Sequence, residues 1–554
     1  MQIENQPWLR SWPPDVPRKL EYPRVPLQSF LEKAAKAYPQ KAAIAFAEGE
    51  ITYAELDVLT DQFAASLAAL GVKKGDRVAV FLPNTPQFVI AYYGSLKIGA
   101  VLTAISPLHK EREVEYQLNN AEAETIVALD TLYPIVENVR RKIKLKNIIV
   151  TSAEEYATKT SAASIRIEQK PNVYRFQELL SEGKDAKPPK VHIDPEEDLA
   201  ALQYTGGTTG TAKGAMLTHR NLVSNAVAFA AWIKGVVEDT FLVALPLFHI
   251  YGMTTSMNVP MYLAAKMVLL PRFEPAAALE AIQRQRVTVF CGVPTMYSLL
   301  LANPGLGNFN LTSIRVCISG ASPLPPQVQK RFMEVTGGFL AEGYGLTEAS
   351  PVTHCNPVDK TMHTLHVGSI GLPLPDTDAR IVDVETGERP LAPGETGELA
   401  VKGPQVMKGY WKKPEETACI LRGGWLLTGD IARMDEDGYF YITDRKKDLI
   451  KYKDYSVYPR ELEDVLYEHP AVKFCAVVGK PDPIVGEVPK AFIVLKEGAQ
   501  ASEEELMAFV KEKVSPYKAV REVEFRKELP ISTAGKVLRR VLQEEEKRKL
   551  RQAN

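Results

Sequence analysis

Short apolar runs alternate with segments of helical periodicity along most of the chain. Such runs, bounded by turn-forming residues, are typical of buried strands, and the segments between them have the spacing of amphipathic helices. A first group of predicted strands covers residues 41–46, 77–82, 101–106, 125–129 and 147–151. A second group covers residues 241–245, 267–270, 287–292 and 314–319. Strands separated by helices favour parallel sheets, so the pattern predicts an α/β fold with two similar sheet-and-helix parts.

One predicted helix has a well-defined start and end. Thr52 and Glu55 have the spacing of a capping box, in which each side chain bonds the backbone N–H of the other residue. Gly71 is a typical residue for ending a helix. We therefore expect a helix between them, with the apolar residues of one face at Leu56, Leu59, Phe63, Leu67 and Leu70.

The pattern changes after Ala379. Turn signals at 386–387 and 393–394 separate short β-like runs, which end in a predicted strand at 398–402. From about Asp444 the pattern is helix, two strands, helix, strand and helix. We therefore predict a large N-terminal domain at residues 1–443, a hinge at 444–448 and a small α+β C-terminal domain at 449–554.

Composition argues against several classes of protein. The 554 residues carry a formal net charge of -1, with 45% apolar and 24% charged residues, as in ordinary soluble proteins. This balance gives no sign of a nucleic-acid partner. The five cysteines lack metal-binding spacing, which favours a reduced cytoplasmic protein. We expect neither a signal peptide nor a membrane span, since no stretch approaches about 20 apolar residues.

The segment from Tyr204 to Gly214 has the composition of a phosphate-binding loop. Glycines let backbone N–H groups converge, while hydroxyls and a lysine donate to phosphate oxygens. The segment is not a Walker A motif, because Gly214 follows Lys213 where serine or threonine is required. A flexible linker is the alternative, but linkers rarely concentrate threonines and a lysine between glycines. The candidate phosphate ligands are Thr205, Gly206, Gly207, Thr208, Thr209, Gly210 and Lys213.

Two other enzyme classes lack their signatures. Gly305 and Gly307 are not followed by a third glycine at dinucleotide spacing. Ser319 has Cys317 where a nucleophile elbow needs glycine. Hydride transfer and serine hydrolysis are therefore not supported.

The phosphate loop resembles that of the adenylate-forming superfamily, which contains acyl-CoA synthetases, peptide-synthetase adenylation domains and luciferase. The likeness covers nearly the whole chain, because further motifs of that superfamily follow in order at residues 246–252, 319–321, 343–348, 428–430, 444–448 and 530–536. Residues 204–210 and 444–453 are most similar to bacterial long-chain fatty-acid-CoA ligases. The resemblance implies a large domain of two similar subdomains plus a β-rich subdomain, with a small mobile C-terminal domain.

The same resemblance implies a two-step reaction with ATP, Mg²⁺ and coenzyme A. A fatty acid becomes an acyl-adenylate with release of pyrophosphate, and the acyl group then passes to the coenzyme A thiol. Glu348 is implied as the Mg²⁺ ligand, and a carboxylate after a Gly-Tyr-Gly turn suits that role, although a surface acid is the alternative. Tyr344 is implied to pack on adenine, with a buried core tyrosine as the alternative. The implied nucleotide contacts beyond the loop are Gly320, Ala321, Gly343, Tyr344, Gly345, Thr347, Asp430, Arg445 and Lys536.

Other roles carried by the resemblance concern the acyl group and catalysis. His249 and Gly345 are implied to border the acyl group, and Gly345 lies where acetate-activating relatives have tryptophan, so we expect an open volume for acids larger than acetate. We interpret His249 as a binding or gating residue and not a base, because a carboxylate has no proton to remove at neutral pH. Lys536, Lys451, His249, Thr347 and Glu348 are the implied catalytic residues, with Lys536 acting in the first step and Lys451 in the second. Lys447 is the implied hinge residue.

Asp454 departs from the resemblance, because relatives usually have glycine there. A carboxylate near the incoming thiol would disfavour the thiolate. A side chain directed to solvent would change nothing.

Several alternatives remain open at this stage. The acid could be aromatic or of medium length, and the chain could be a luciferase-like oxygenase or a nucleotide-binding relative without turnover. Expected partners are small molecules, and the sequence leaves open a monomer or a homodimer and contact with a membrane surface.

Overall fold

The structure is a computed structural model that describes residues 6–157, 170–205, 212–358, 366–453, 455–482, 484–531 and 537–553. Its helices and strands form two large sheets with helices on both faces, a smaller antiparallel sheet and a C-terminal sheet. The expected mixed α/β fold, with a large N-terminal and a smaller C-terminal part, is confirmed. The boundaries at 443 and 449 and the mobility of the C-terminal part stay predictions.

The first sheet is mostly parallel and becomes antiparallel at one edge. Four of the strands predicted in the first group lie in its centre, with bounds within two residues of those expected. In spatial order its strands are Gly409–Tyr410, Gly214–Thr218, Leu199–Tyr204, Val101–Ala104, Arg77–Phe81, Ala123–Leu129, Asn147–Thr151 and Val173–Arg175.

The second sheet contains the remaining predicted strand of the first group. Ala42–Phe46 is almost fully buried and pairs in parallel with Lys266–Leu269, so the earliest strand in the chain does not join the sheet that follows it. The local pattern predicts that this strand is buried but cannot specify its partner. In spatial order the strands are Leu372–Pro373, Val352–Cys355, Phe339–Gly345, Val316–Ser319, Val289–Gly292, Thr240–Val243, Lys266–Leu269, Ala42–Phe46 and Gly49–Thr52.

The helix Tyr53–Ala69 then leads from the second sheet toward the first. Its predicted capping box is confirmed, since Thr52 N donates to Glu55 Oε2 at 2.7 Å and Glu55 N donates to Thr52 Oγ1 at 3.2 Å. The helix ends at Ala69, slightly before the expected Gly71.

Helices cover both faces of the large sheets and bury their apolar side chains in the core between the layers. Among the described residues, no helix is long and apolar enough to cross a membrane. The α-helices are Ser29–Ala37, Tyr53–Ala69, Pro86–Lys97, Glu111–Ala121, Tyr133–Val139, Phe176–Glu182, His219–Trp232, Ile250–Gly252, Val259–Leu263, Pro275–Gln285, Pro294–Leu301, Pro326–Thr336, Pro414–Ile420, Pro459–Tyr467, Glu503–Lys513 and Arg539–Ala553, and Met253–Asn258 is a π-helix. The 3₁₀ helices are Pro7–Arg10, Arg140–Lys142, Ala153–Tyr156, Leu306–Asn308, Thr347–Ala349 and Lys446–Asp448.

The third sheet is antiparallel and corresponds to the β-rich pattern after Ala379. The strand predicted at 398–402 lies within its central strand, Thr396–Lys402. Its strands are Asp378–Val382, Thr396–Lys402, Trp425–Met434 and Leu421–Arg422, with Phe440–Arg445 also pairing to Trp425–Met434.

The fourth sheet has the predicted C-terminal order of helix, two strands, helix, strand and helix. A short hairpin at 450–457 precedes this unit and was not expected, because its strands are only three residues each. The strands are Tyr455–Val457, Ile450–Tyr452, Gly486–Leu495 and Val472–Asp482, with Glu522–Phe525 pairing to Gly486–Leu495.

Candidate functional site

Two turns that the motifs singled out lie at one edge of the second sheet. Val316–Ser319 and Phe339–Gly345 are parallel neighbours, so their carboxyl ends meet at the same edge. Gly320 and Ala321 follow the first strand, and Tyr344 lies at the end of the second. Open α/β sheets bind ligands at this kind of edge.

Close packing accounts for the small residues at this edge. A Cβ atom at Gly320 would lie 3.0 Å from the ring of Tyr251, whose hydroxyl donates to Ile318 O at 3.0 Å. A Cβ atom at Gly343 would lie 3.1 Å from a methyl group of Ile318. Ala321 has a φ of 69°. Backbone atoms therefore line much of this edge of the sheet.

Tyr344 bonds to Asp430, which belongs to the third sheet. Its Oη donates to Asp430 Oδ2 at 2.5 Å. Burial, followed by the charge of Asp430, raises the pKa of Tyr344 well above its usual value, so the hydroxyl remains a donor. His354 lies edge-on to the Tyr344 ring with 6.0 Å between centroids, and burial lowers its pKa to about 3. The tyrosine and the imidazole thus form an uncharged wall at neutral pH.

Both oxygens of Asp430 have side-chain partners. Arg445 Nε lies 3.0 Å from Oδ1, and the two residues are direct cross-strand partners. Asp430 is 5% exposed, and its charge raises the pKa of Arg445. A carboxylate and a guanidinium together supply the acceptors and donors that a sugar diol requires.

The phosphate loop begins and ends on an antiparallel strand pair. Thr205 N donates to Lys213 O at 2.9 Å, and Tyr204 lies opposite Gly214. These contacts place the two ends of the loop side by side. The predicted ligands Gly206, Gly207, Thr208, Thr209 and Gly210 lie outside the described residues.

Lys213 contacts two side chains that the sequence analysis did not identify. Its Nζ lies 2.5 Å from Glu416 Oε2 and 4.9 Å from the centroid of the Tyr410 ring. Lys413 Nζ also pairs with Glu416, at 3.0 Å, and the two lysines lower the pKa of this carboxyl. The ammonium of Lys213, a candidate phosphate ligand, is therefore paired with a carboxylate of the protein itself.

Glu348 and Thr347 lie together in the 3₁₀ helix Thr347–Ala349. Tyr410 Oη donates to Glu348 Oε1 at 2.5 Å, and Met407 N donates to the Glu348 carbonyl at 2.8 Å. Tyr410 thus touches both Lys213 and Glu348. No local signal identifies it, because it reaches this position only through pairing with a strand nearly 200 residues earlier.

The carboxylate of Glu348 fits a Mg²⁺ ion that arrives with a polyphosphate. Within the described ranges, its second oxygen, Oε2, has no hydrogen-bond partner. No group of three or more His, Cys, Asp and Glu side chains in those ranges could hold a metal by itself. Mg²⁺ typically takes one or two protein carboxylates, with water and substrate phosphates completing its shell. A single carboxylate that shares the neighbour Tyr410 with Lys213 suits that pattern.

His249 lies on the surface and not in the core. It precedes the helix Ile250–Gly252, and its Nδ1 accepts a hydrogen bond from Tyr251 N at 3.2 Å. A histidine in an apolar run is ordinarily buried, whereas this side chain is exposed. Its role as a binding or gating residue stays a prediction.

The expectation that Gly345 leaves an open volume is wrong. A Cβ atom at Gly345 would lie 2.3 Å from the carbonyl oxygen of Pro351 and 3.0 Å from Val352 Cα. The glycine is needed because the strand Phe339–Gly345 and the strand Val352–Cys355 approach each other closely where their register shifts. Its contact with an acyl group remains a prediction.

The predicted hinge contains a buried carboxyl that joins two parts of the chain. Asp444 Oδ2 accepts from Arg460 N at 2.8 Å, and Oδ1 accepts from Arg445 N at 2.7 Å. Burial raises the pKa of Asp444 to about 6. Partial desolvation, with the charge of Arg445, lowers the pKa of Lys447 to about 8 although its side chain is exposed. Movement at this hinge stays a prediction.

The two proposed catalytic lysines belong to the C-terminal part. Lys451 is exposed on the strand Ile450–Tyr452, and its backbone N donates to Glu487 Oε2 at 3.0 Å. Lys536 and Asp454 lie outside the described residues.

Comparison with known proteins gives a consistent result. Residues 31–411 match the AMP-binding enzyme family, and residues 461–536 match the AMP-binding enzyme C-terminal domain. A long-chain-fatty-acid–CoA ligase of Bacillus subtilis (strain 168) is 47% identical over 556 residues, covering 98% of both chains. A ligase of the same name from Salmonella typhimurium is 38% identical over 564 residues, covering 98% of this chain and 99% of the relative. The crystal structure of the anthranilate CoA ligase AuaEII in complex with anthranoyl-AMP superposes with a TM-score of 0.83 at 27% identity, covering 96% and 99% of the two chains. The resemblance drawn from the motifs is thereby confirmed, and the chain belongs to the AMP-binding enzyme family of adenylate-forming enzymes.

Proposed function

We propose that this protein activates a fatty acid with ATP and transfers the acyl group to coenzyme A. The observation that carries the proposal is the position of Asp430, whose carboxylate accepts a hydrogen bond from Tyr344 and pairs with Arg445. Together these three residues form a surface suited to a nucleoside. The 47% identical relative is named a long-chain-fatty-acid–CoA ligase, which favours a fatty acid as the substrate.

The first step makes the acid reactive. A carboxylate is a poor electrophile, so its oxygen attacks the α-phosphorus of ATP, the bond to pyrophosphate breaks, and a mixed anhydride with AMP remains. We propose that Lys213, the loop residues and Lys536 donate to the phosphate oxygens and stabilise the charge that develops there. Mg²⁺, when bound with Glu348, would neutralise part of the triphosphate charge.

The nucleoside is held by Tyr344, Asp430 and Arg445. Tyr344 presents an uncharged ring to adenine, since its raised pKa keeps the hydroxyl protonated. Asp430 and Arg445 pair with each other. When the ribose binds, part of that pairing is replaced by hydrogen bonds to the ribose hydroxyls. These residues orient the α-phosphate for in-line attack.

The second step requires a different set of groups at the same carbonyl. The coenzyme A thiolate attacks the anhydride carbonyl, and AMP leaves with the bonding electron pair. We propose that Lys536 serves only the first step, that rotation about residues 444–448 withdraws it, and that Lys451 then takes its place. Lys447 lies in the short 3₁₀ helix that such a rotation would reorient.

The proposal also covers cellular location, oligomeric state and contact with membranes. We place the protein in the cytoplasm as a monomer or a homodimer, with contact at a membrane surface where long-chain acids partition. Size-exclusion chromatography with light scattering and co-sedimentation with lipid vesicles test these two points.

The decisive experiment profiles acids with the purified protein, ATP, Mg²⁺ and coenzyme A. We expect AMP formation that depends on coenzyme A and increases from acetate toward oleate. A preference for ferulate would favour an aryl-CoA ligase, and light emission that requires oxygen would favour a luciferase-like oxygenase. Absence of pyrophosphate release with every acid would identify a nucleotide-binding relative without turnover.

A further inference from the structure

Tyr410 touches both the candidate phosphate-binding lysine and the candidate metal-binding carboxylate. Its ring lies 4.9 Å from Lys213 Nζ, and its hydroxyl donates to Glu348 Oε1 at 2.5 Å. The two contacts use different parts of the side chain. One substitution can therefore remove the hydroxyl and keep the ring.

The backbone around Tyr410 is fixed independently of these contacts. The strand Gly409–Tyr410 pairs with Gly214–Thr218, so Tyr410 lies opposite Ala215, close to where the phosphate loop ends. Tyr410 N also donates to Thr417 Oγ1 at 2.9 Å. With 7% of its surface exposed, the side chain has little freedom to move.

We propose that Tyr410 is a positioning residue that presents Glu348 to Mg²⁺ and Lys213 to the triphosphate. The proposal rests on the function proposed above. With Oε1 bound by the hydroxyl, Glu348 is held in one orientation and directs Oε2 toward a ligand. The π face of the ring holds the Lys213 ammonium by a cation–π contact.

If Tyr410 had only a structural role, its contribution would come from packing and not from the hydroxyl. Phenylalanine fills nearly the same volume, so Tyr410→Phe preserves the core contacts and the cation–π contact while releasing Glu348. A hydrogen bond to a charged group is strong enough that its loss should change ligand affinity about 10-fold. The effect should appear only when Mg²⁺ takes part.

The test measures ATP binding by calorimetry with Mg²⁺ and with EDTA, for the native protein and Tyr410→Phe. We expect about 10-fold weaker binding of Mg-ATP and unchanged binding of metal-free ATP. We also expect a similar rise in the Mg²⁺ concentration needed for half-maximal pyrophosphate release. Thioester formation from preformed oleoyl-adenylate and coenzyme A should be unaffected, since that step does not use the triphosphate.

Two further variants sharpen the result. Tyr133→Phe is the matched control, because Tyr133 Oη also donates to a carboxylate, Glu137 Oε2, at 2.9 Å but in the helix Tyr133–Val139. Tyr410→Leu removes the ring as well and should also weaken metal-free ATP binding, about 3-fold. Equal weakening of ATP binding with and without Mg²⁺ in Tyr410→Phe, or no weakening in either, would overturn the proposal. Because binding is measured without an acid, this result is independent of whether the protein activates fatty acids.

Discussion

Glu416 offers the sharpest prediction, because it competes with the ligand that Lys213 is proposed to bind. Its Oε2 lies 2.5 Å from Lys213 Nζ, and the two side chains are 36% and 31% exposed. Ion pairs exposed to this degree contribute about 0.2–1 kcal/mol. A phosphate oxygen that approaches the ammonium competes with this carboxylate for its N–H donors. Glu416→Gln should therefore strengthen ATP binding about 1.4- to 5-fold.

The assay is the dissociation constant of Mg-ATP, measured by calorimetry at low and high salt. The gain in Glu416→Gln should shrink near 1 M salt, where the Debye length falls to about 3 Å. Glu415→Gln is the matched control, since it removes the same charge from the same helix, Pro414–Ile420, and leaves the ion pair intact. An equal gain in the control would mean that net charge alone acts. Weaker ATP binding in Glu416→Gln would refute competition and would mean that Glu416 orients the lysine for phosphate.

Four further predictions concern the two half-reactions and the stability of the fold. Lys536→Ala should lose acyl-adenylate formation but still convert preformed acyl-adenylate and coenzyme A to thioester, because its charge is needed only while pyrophosphate departs. Asp454→Gly should raise thioester formation more than adenylate formation, since the carboxylate disfavours the thiolate. Gly345→Trp should lower the free energy of unfolding by about 3 kcal/mol or more, because even its Cβ would overlap the Pro351 carbonyl. His354 has a pKa lowered from 6.5 to about 3, so the unfolded chain binds a proton first, and stability should fall from about pH 6.5 downward, less so in His354→Phe.

Each of these predictions has a result that contradicts it. Equal losses in both half-reactions of Lys536→Ala would exclude separate conformations for the two steps. No change, or equal change, in the half-reactions of Asp454→Gly would show that residue 454 does not affect the second. For Gly345→Trp the control is Gly307→Ala, where a Cβ meets nothing within 4 Å, and equal thermal unfolding would contradict the close approach. If the pH dependence of stability is unchanged in His354→Phe, the loss of stability at low pH is due to other groups.

The sequence predicted those features that short-range chemistry encodes. Thr52 and Glu55 bond each other within one helical turn, and the strand at 147–151 has the predicted bounds. The order of the motifs along the chain and their glycine content also sufficed to identify the family. In these cases the interacting residues are neighbours in sequence or belong to one motif.

The features that were missed depend on contacts between distant segments. The partner of Ala42–Phe46 follows from the packing of whole layers, and many apolar strands would satisfy its burial equally well. Tyr410 and Glu416 reach Lys213 only because a short strand and the helix after it fold back beside the strand Gly214–Thr218. Gly345 illustrates a different limit, since the absence of a side chain indicates either open space or close backbone approach, and only coordinates distinguish them.

The pairing of Ala42–Phe46 with Lys266–Leu269 has a consequence for synthesis of the protein. Translation at about 5–20 residues per second leaves the earlier strand waiting roughly 10–45 s for its partner to leave the ribosome. During that interval the edge of this apolar strand that pairs with Lys266–Leu269 is open, which is a condition for aggregation or chaperone capture. It also follows that cutting the chain between the segments that form the two large sheets cannot yield two self-sufficient fragments. The strand Ala42–Phe46 would stay in the N-terminal fragment, and the sheet to which it belongs would be in the C-terminal fragment.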